Sequence, residues 1–205
     1  MAKAFKNRLH AGQELAEAIT DCDLVIAIPR GGIPIAQPIC EKFQCPLNLV
    51  FPRKLRAPNN PEFAIGAINS LGESILNEAL CQQLHVTESY LDQEIIQQLA
   101  DIRSRQKTYP SAKTPITNKH IVIVDDGIAT GMTMVAAVSE IRSHKPKQIT
   151  VAVPVSPPDV LGSLQNINFI CLHQPKHFGS VSHFYDTFPQ VETKEAIEIL
   201  RKINH

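Results

Sequence analysis

The chain predicts an α/β fold with three layers, helix, sheet and helix, around a mostly parallel sheet of five to six strands. Apolar runs of strand length alternate with segments of helical period along its 205 residues. The runs Asp23 to Pro29, His120 to Val124 and Ile149 to Val155 are almost continuously apolar, as strands buried on both faces are. Hydrophobic residues make up 43% and charged residues 20%, the balance of a soluble globular chain long enough for one core. One domain over 1–205 is therefore expected.

The elements follow in order. Gly12 to Ile19 reads as a short helix, with Leu15, Ala18 and Ile19 on one side. The strand DLVIAIP ends in Arg30-Gly31-Gly32, and Ile33 to Phe43 is a helix with Pro34 in its first turn, where a missing N–H is harmless. Pro46 to Phe51 is a second strand, running into Pro52-Arg53-Lys54. Leu55 to Pro61 reads as loop, because Pro58, Asn59, Asn60 and Pro61 disfavour helix and ladder alike. Phe63 to Ile68 and Ser74 to Leu76 pair as a hairpin around Leu71-Gly72-Glu73. Thr87 caps a long amphipathic helix to Thr108, with Leu91, Ile95, Leu99 and Ile102 as its apolar stripe. Pro110 to Asn118 is loop, Met134 to His144 helix, Asp159 to Leu164 a short helix, Phe169 to Leu172 a last core strand, and Thr193 to Ile203 a terminal helix.

Composition narrows the function. Twenty basic and twenty acidic side chains give zero net charge, without the basic surplus of a nucleic-acid binder. No apolar run reaches bilayer length, and Met1 to His10 lacks a signal peptide's hydrophobic core, so a cytoplasmic location away from membranes is expected. The five cysteines (Cys22, Cys40, Cys45, Cys81, Cys171) are odd in number and scattered, which reads as reduced thiols.

The segment Ile121 to Thr133, IVIVDDGIATGMT, carries the chemistry. A buried strand that ends in Asp125-Asp126 needs something cationic or hydroxylated to meet those carboxylates. At the carboxyl edge of a parallel sheet they lie where such folds bind ligands, and they suit the vicinal hydroxyls of a ribose with Mg²⁺ nearby. Ala129-Thr130-Gly131-Met132-Thr133 then supplies amides and hydroxyls at a helix N-terminus, a cradle for phosphate. Together these make a ribose-5-phosphate site. Neither GxxxxGK[ST] nor GxGxxG is present.

The segment resembles the signature of the type I phosphoribosyltransferases: four hydrophobic residues, two acidic ones, two aliphatic positions and a small-residue phosphate loop. Gly127 departs from it, standing where an aliphatic residue is usual. The resemblance implies the family's fold, with a lid hairpin at about 55–76 and a small C-terminal hood at about 173–192. It also implies a Mg²⁺-dependent transfer of the phosphoribosyl group of 5-phosphoribosyl-1-pyrophosphate (PRPP) to a nitrogenous acceptor, a role in nucleotide and nucleoside metabolism, and a homodimer. Asp125 and Asp126 would serve the ribose and the metal, and residues 129–133 the 5-phosphate. Arg30, Gly31 and Gly32 would hold pyrophosphate through amides and often an unusual peptide geometry, with Arg53 and Lys54 assisting. Phe51 to Ile68 and Phe178 to Val191 further resemble a branch of predicted phosphoribosyltransferases of unknown acceptor, over about Arg8 to Leu200. In that branch Glu62 and Ala64 to Ala67 cover the site, and the hood offers Phe178 and Tyr185 to the acceptor. The branch usually has glycine where Ser182 stands. Relatives that use 6-oxopurines carry an aspartate at the position of Ala129, so hypoxanthine and guanine are disfavoured, leaving adenine, pyrimidines, orotate or a non-nucleobase. His173, His177 and His183 lie near the hood without ligand spacing. A regulator that binds PRPP without turnover is the alternative, lacking here a helix-turn-helix and excess charge.

Overall fold

The computed structural model describes residues 3–58, 60–110, 114–158, 160 and 167–204, without the side chains of residues 61 and 62. The chain folds into two compact units: Met1–Val50, Pro110–Gly131 and His144–His205 form the first, and Phe51–Tyr109 with Met132–Ser143 the second. In chain order the elements are α1 (Arg8–Ala18), β1 (Leu24–Ala27), α2 (Gly32–Phe43), β2 (Leu47–Leu49), β3 (Arg53–Ala57), β4 (Asn60–Ile68), β5 (Ser74–Leu76), α3 (Glu78–Gln83), α4 (Glu88–Thr108), β6 (His120–Val124), α5 (Met132–Ser143), β7 (Gln148–Val155), β8 (Asn168–His173) and α6 (Thr193–Ile203).

The first unit is a five-stranded, all-parallel sheet in the order β2-β1-β6-β7-β8. All four residues of β1 and residues 121–124 of β6 are buried, which is why these runs are apolar without alternation. The chain leaves β1 toward β2 on one side and β6 toward β7 on the other. Strand order therefore reverses between β1 and β6, and in open α/β sheets ligands bind at the carboxyl ends of the strands flanking such a reversal. The β2 edge is blunted by Asn204, whose side chain accepts from the Leu47 amide and donates to its carbonyl, both at 3.0 Å. Helix α1 begins at Arg8, four residues before the expected start, because the Asn7 side chain caps the His10 amide at 2.9 Å.

The second unit is an antiparallel sheet, β3-β4-β5, with α3, α4 and α5. The hairpin expected at residues 63–76 forms, with Gly66 opposite Leu76 and Ile68 opposite Ser74. Of the loop expected at Leu55 to Pro61, Leu55 to Ala57 and Asn60 to Pro61 are strand, Pro58 is a turn and Asn59 lies outside the described residues. Strand β3 pairs with β4, and two register shifts, after Leu55 and after Arg56, bend the ladder to its end at Ala57 opposite Asn60. The segment expected as a lid is thus part of a larger unit that also holds α4. Short α3, capped by Asn77, escapes sequence reading because it buries no residue and so shows no apolar period. The helix expected at Asp159 to Leu164 lies outside the described residues.

Thr87 caps α4 as expected, its hydroxyl accepting from the Tyr90 amide at 3.2 Å. The buried stripe of α4, however, is Glu94, Gln98 and Ile102 rather than Leu91, Ile95 and Leu99. Two arginines of β3, Arg53 through Gln98 (3.1 Å) and Arg56 through Glu94, explain the difference. Arg56 donates to Glu94 from its amide (3.0 Å), Nε (2.8 Å) and Nη2 (3.0 Å), and Gln98 donates to the same carboxylate at 2.9 Å. Burial alone would raise the Glu94 pKa, but the Arg56 hydrogen bonds outweigh it and hold the carboxyl below its usual range. A depressed carboxyl pKa stabilises above the unfolded value of about 4.3 and loses that contribution as pH falls. Glu94→Gln is therefore expected to cost about 1.5–3 kcal/mol at pH 7. In thermal melts its deficit against the parent chain should shrink below about pH 4.

Candidate functional site

The last rung of the β1–β6 ladder pairs Ala27 with Val124, and the Ile28 amide donates to the Val124 carbonyl at 3.0 Å. Beyond that rung the two loops lie against each other. A Cβ on Gly31 would fall 2.0 Å from Asp126 Oδ2, and one on Gly32 would fall 2.7 Å from the Val124 carbonyl oxygen and 3.2 Å from Asp125 Cα. Gly31 has ordinary right-handed dihedrals (φ −60°, ψ −35°). Gly31 and Gly32 are called for by close packing on the acidic pair, and the unusual peptide geometry expected in this loop is found one residue earlier. The Pro29–Arg30 peptide bond is cis.

Asp125 and Asp126 are recessed at this junction, with the Asp126 side chain 17% exposed. The Asp126 amide donates to Asp125 Oδ1 at 2.8 Å. Burial, reinforced by the neighbouring Asp126 charge, pushes the Asp125 carboxyl well above its usual pKa. Burial also raises Asp126, but Arg8 opposes it: Arg8 Nε donates to Asp126 Oδ2 at 2.8 Å. Arg8 itself is 9% exposed, with its guanidinium 3.6 Å above the Phe188 ring. The pair is therefore asymmetric, Asp126 matched by the Arg8 cation and Asp125 accepting from the Asp126 amide. Sequence reading missed Arg8, which lies 118 residues from its partner with nothing local to mark it.

After the acidic pair, the Ile128 amide donates to Val155 at 2.9 Å and fixes the start of the loop. The aliphatic residue usual at position 127 is replaced from outside. A Cβ on Gly127 would meet Val181 at 2.7 Å and Val155 at 3.0 Å, so those valines fill its space. Ala129 and Thr130 are exposed. Gly131 has φ +80°, a left-handed conformation that favours glycine, and α5 begins at the next residue. Met132 and Thr133 are its first two residues, so their amides lack helical partners and face the end where an anion is favoured.

The other candidates are placed as follows. Arg30 Nη1 donates to Thr193 Oγ1 at 3.2 Å, tethering the β1 loop to the start of α6. Arg53, proposed for pyrophosphate, is turned to α4, where it donates to Gln98 at 3.1 Å and pairs with Asp101 at 3.4 Å. Lys54 is exposed on the opposite side of β3, as strand alternation requires. Tyr185, expected to meet the acceptor, is 1% exposed and offers it no face. Its ring lies between Phe5 (5.4 Å) and Phe188 (4.7 Å), and its hydroxyl donates to the Asp126 carbonyl at 2.7 Å. Phe178 is half-buried and stacked on Phe184 at 5.5 Å. His173 also packs on Phe184, His183 lies where a Cβ on Gly179 would fall, and His177 is exposed. Ser182 bonds Ser180 at 2.9 Å in the 3-10 turn Val181–Phe184, which accommodates a side chain where the resemblance expects glycine.

Among the described residues no helix is long and apolar enough to cross a membrane, and no cluster of three or more His, Cys, Asp and Glu forms a metal cage. Asp125 and Asp126 are the carboxylates that could hold a divalent ion through one or two contacts, the rest coming from substrate and water.

A family model described as a phosphoribosyl transferase domain matches residues 3–186. Two Mycobacterium tuberculosis proteins, named as candidate phosphoribosyl transferases, are 32% identical over 206 residues, covering 97% of this chain and 46% of theirs. The chain spans about half the length of these curated relatives. The crystal structure of TT1426 from Thermus thermophilus matches with a TM-score of 0.80 at 33% identity, covering 98% of this chain and 99% of that one. A purine phosphoribosyltransferase from Pyrococcus horikoshii shares the fold, with a TM-score of 0.52 at 17% identity and coverage of 94% and 96%.

Proposed function

We propose that this chain, which belongs to the phosphoribosyl transferase domain family, transfers the 5-phosphoribosyl group of PRPP to a nitrogenous acceptor and releases pyrophosphate, with Mg²⁺ required. The observation that carries this reading is the Asp125-Asp126 pair at the strand-order reversal, packed on Gly31-Gly32.

Each carboxylate of the pair has one oxygen committed to protein: Asp125 Oδ1 to the Asp126 amide, Asp126 Oδ2 to Arg8. One oxygen on each is left for the two ribose hydroxyls, which donate. The raised pKa of Asp125 fits a carboxyl that needs a positive partner, so Asp125 and the second oxygen of Asp126 are also the groups that would hold Mg²⁺. When bound, Mg²⁺ would neutralise charge developing on the leaving pyrophosphate. The Arg30 and Gly31 amides bind that pyrophosphate, the Gly32 amide being committed to the Ile28 carbonyl at 3.0 Å, and residues 129–133 bind the 5-phosphate through Thr130, Thr133 and the unpaired amides of α5. Displacement at the anomeric carbon passes through an oxocarbenium-like state, so the residues' task is to hold the ribose still and receive the leaving group. Arg53, committed to Gln98 and Asp101, is left out of this assignment, and Lys54 remains the basic residue of β3 with an exposed head.

Ala129 in the phosphate loop favours an acceptor other than a 6-oxopurine. The test is a screen of adenine, pyrimidines, orotate, hypoxanthine, guanine and small amines for pyrophosphate release from PRPP with Mg²⁺. Release with a member of the first groups, and least with hypoxanthine and guanine, is expected. PRPP binding without release for any acceptor would replace the enzyme by a regulator.

A further inference from the structure

Asp126 is gripped by two segments far apart in sequence. The Ala4 and Phe5 amides donate to the Phe184 carbonyl at 3.1 and 2.9 Å, the Asp186 amide to Phe5 at 2.8 Å, and the Thr187 amide to Lys6 at 2.9 Å. This short pairing joins residues 4–6 to residues 184–187 and delivers two side chains to one aspartate. Arg8 takes its carboxylate at Oδ2, and Tyr185 takes its backbone carbonyl at 2.7 Å. Arg8 is fixed in turn by a 2.7 Å hydrogen bond to the Pro189 carbonyl and by the Phe188 ring beneath it, while Phe188 packs on Tyr185. A planar guanidinium that donates on two sides and stacks on a third is held in one orientation, which a lysine ammonium would not reproduce.

We infer that Arg8 is a positioning residue for Asp126, and that Arg8, Tyr185 and Phe188 form a clamp that sets the aspartate's free oxygen for a sugar hydroxyl. The inference rests on the function proposed above. It has a physical motive. The bare backbone of Gly31 makes the room in which Asp126 Oδ2 sits, and the Arg8 hydrogen bond to that oxygen keeps the carboxylate there; released by Arg8, it would be free to rotate away from the β1 loop. Arg8 does not touch the ligand; it acts through Asp126.

The test compares Arg8→Met, Arg8→Lys and Tyr185→Phe with the parent chain. It uses calorimetric titration of two ligands in the presence of Mg²⁺: PRPP, which carries the ribose, and inorganic pyrophosphate, which does not. Arg8→Met should weaken PRPP by about tenfold to a hundredfold, the loss expected of a charge-assisted hydrogen bond. Arg8→Lys should recover only part of this, and Tyr185→Phe should weaken PRPP by a smaller factor. In all three, pyrophosphate affinity should fall by a smaller factor than PRPP affinity, because pyrophosphate meets Asp126 only through the metal. Equal losses for both ligands, tracking a fall in melting temperature, would mean that the clamp merely holds the fold and would overturn the inference. Unchanged PRPP affinity in Arg8→Met would overturn it as well. Failure of the parent chain to bind PRPP would overturn the functional reading, and the inference with it.

Discussion

Asp125→Asn should lose about tenfold to a hundredfold in PRPP affinity and, at the same time, make the empty protein more stable at neutral pH. The first effect follows from removing a charge-assisted acceptor for a ribose hydroxyl and one of two possible contacts to Mg²⁺. The second follows from burial. The Asp125 carboxyl is pushed well above its usual range by desolvation and by the adjacent Asp126 charge, so between the unfolded and folded values the empty folded chain binds more protons there than the unfolded chain. A raised carboxyl pKa costs nothing below the unfolded value of about 3.9, where both states are protonated. Stability is then lost as pH rises from there through the folded value. Asparagine does not ionise and still accepts from the Asp126 amide through its side-chain oxygen. The melting-temperature difference between Asp125→Asn and the parent should therefore be smallest near pH 4 and grow toward pH 7. A desolvation cost of about 1–3 kcal/mol is at stake, each kcal/mol corresponding to roughly 2–4 °C in a domain of this size. A parallel pair of melting curves across that pH range would mean that Asp125 is not strained by burial.

Alanine at the two glycines of the β1 loop should separate packing from binding. At Gly32 the added methyl meets backbone, the Val124 carbonyl at 2.7 Å and Asp125 Cα at 3.2 Å, and neither can yield without moving β6. Gly32→Ala should cost about 1–3 kcal/mol of stability as an overpacked core site. At Gly31 the methyl meets the Asp126 carboxylate at 2.0 Å, a side chain that can rotate, but only by leaving Arg8. Gly31→Ala should spare the fold more and weaken PRPP by about tenfold or more, the worth of the charge-assisted contact it displaces. Thermal melts and titrations on the two variants check this split, and equal stability losses with equal affinity losses would contradict it.

Local physics made the legible parts of this protein legible. Buried parallel strands must be apolar throughout, so β1, β6 and β7 stand out as runs, and their neighbours in the sheet follow from alternation with helices. The Asp125 to Thr133 segment is readable because strand end, carboxylates, loop and helix start are consecutive. What was not legible lies in contacts between distant residues. Arg8 reaches Asp126 across 118 positions, and Tyr185, which looks like a ligand contact by its chemistry, is recruited as a buried prop by the pairing of residues 4–6 with 184–187. The β3 strand hid behind Pro58, Asn60 and Pro61, which follow its far end, past two register shifts. The face of α4 was misassigned because Arg53 and Arg56 turn its polar residues inward, a reversal that hydrophobic periodicity cannot register. Arg53 itself reads as a free cation only until those partners are seen.

The most direct measurement is a calorimetric titration of the unmodified chain with PRPP, run with Mg²⁺ and again with the metal chelated. Saturable one-to-one binding that weakens sharply on chelation, and that ribose 5-phosphate and pyrophosphate each compete away, is the expected result. Heats no larger than dilution in both runs, with the chain folded by its melting curve, would contradict the assignment of Asp125, Asp126 and the two loops beside them to a phosphorylated ribose.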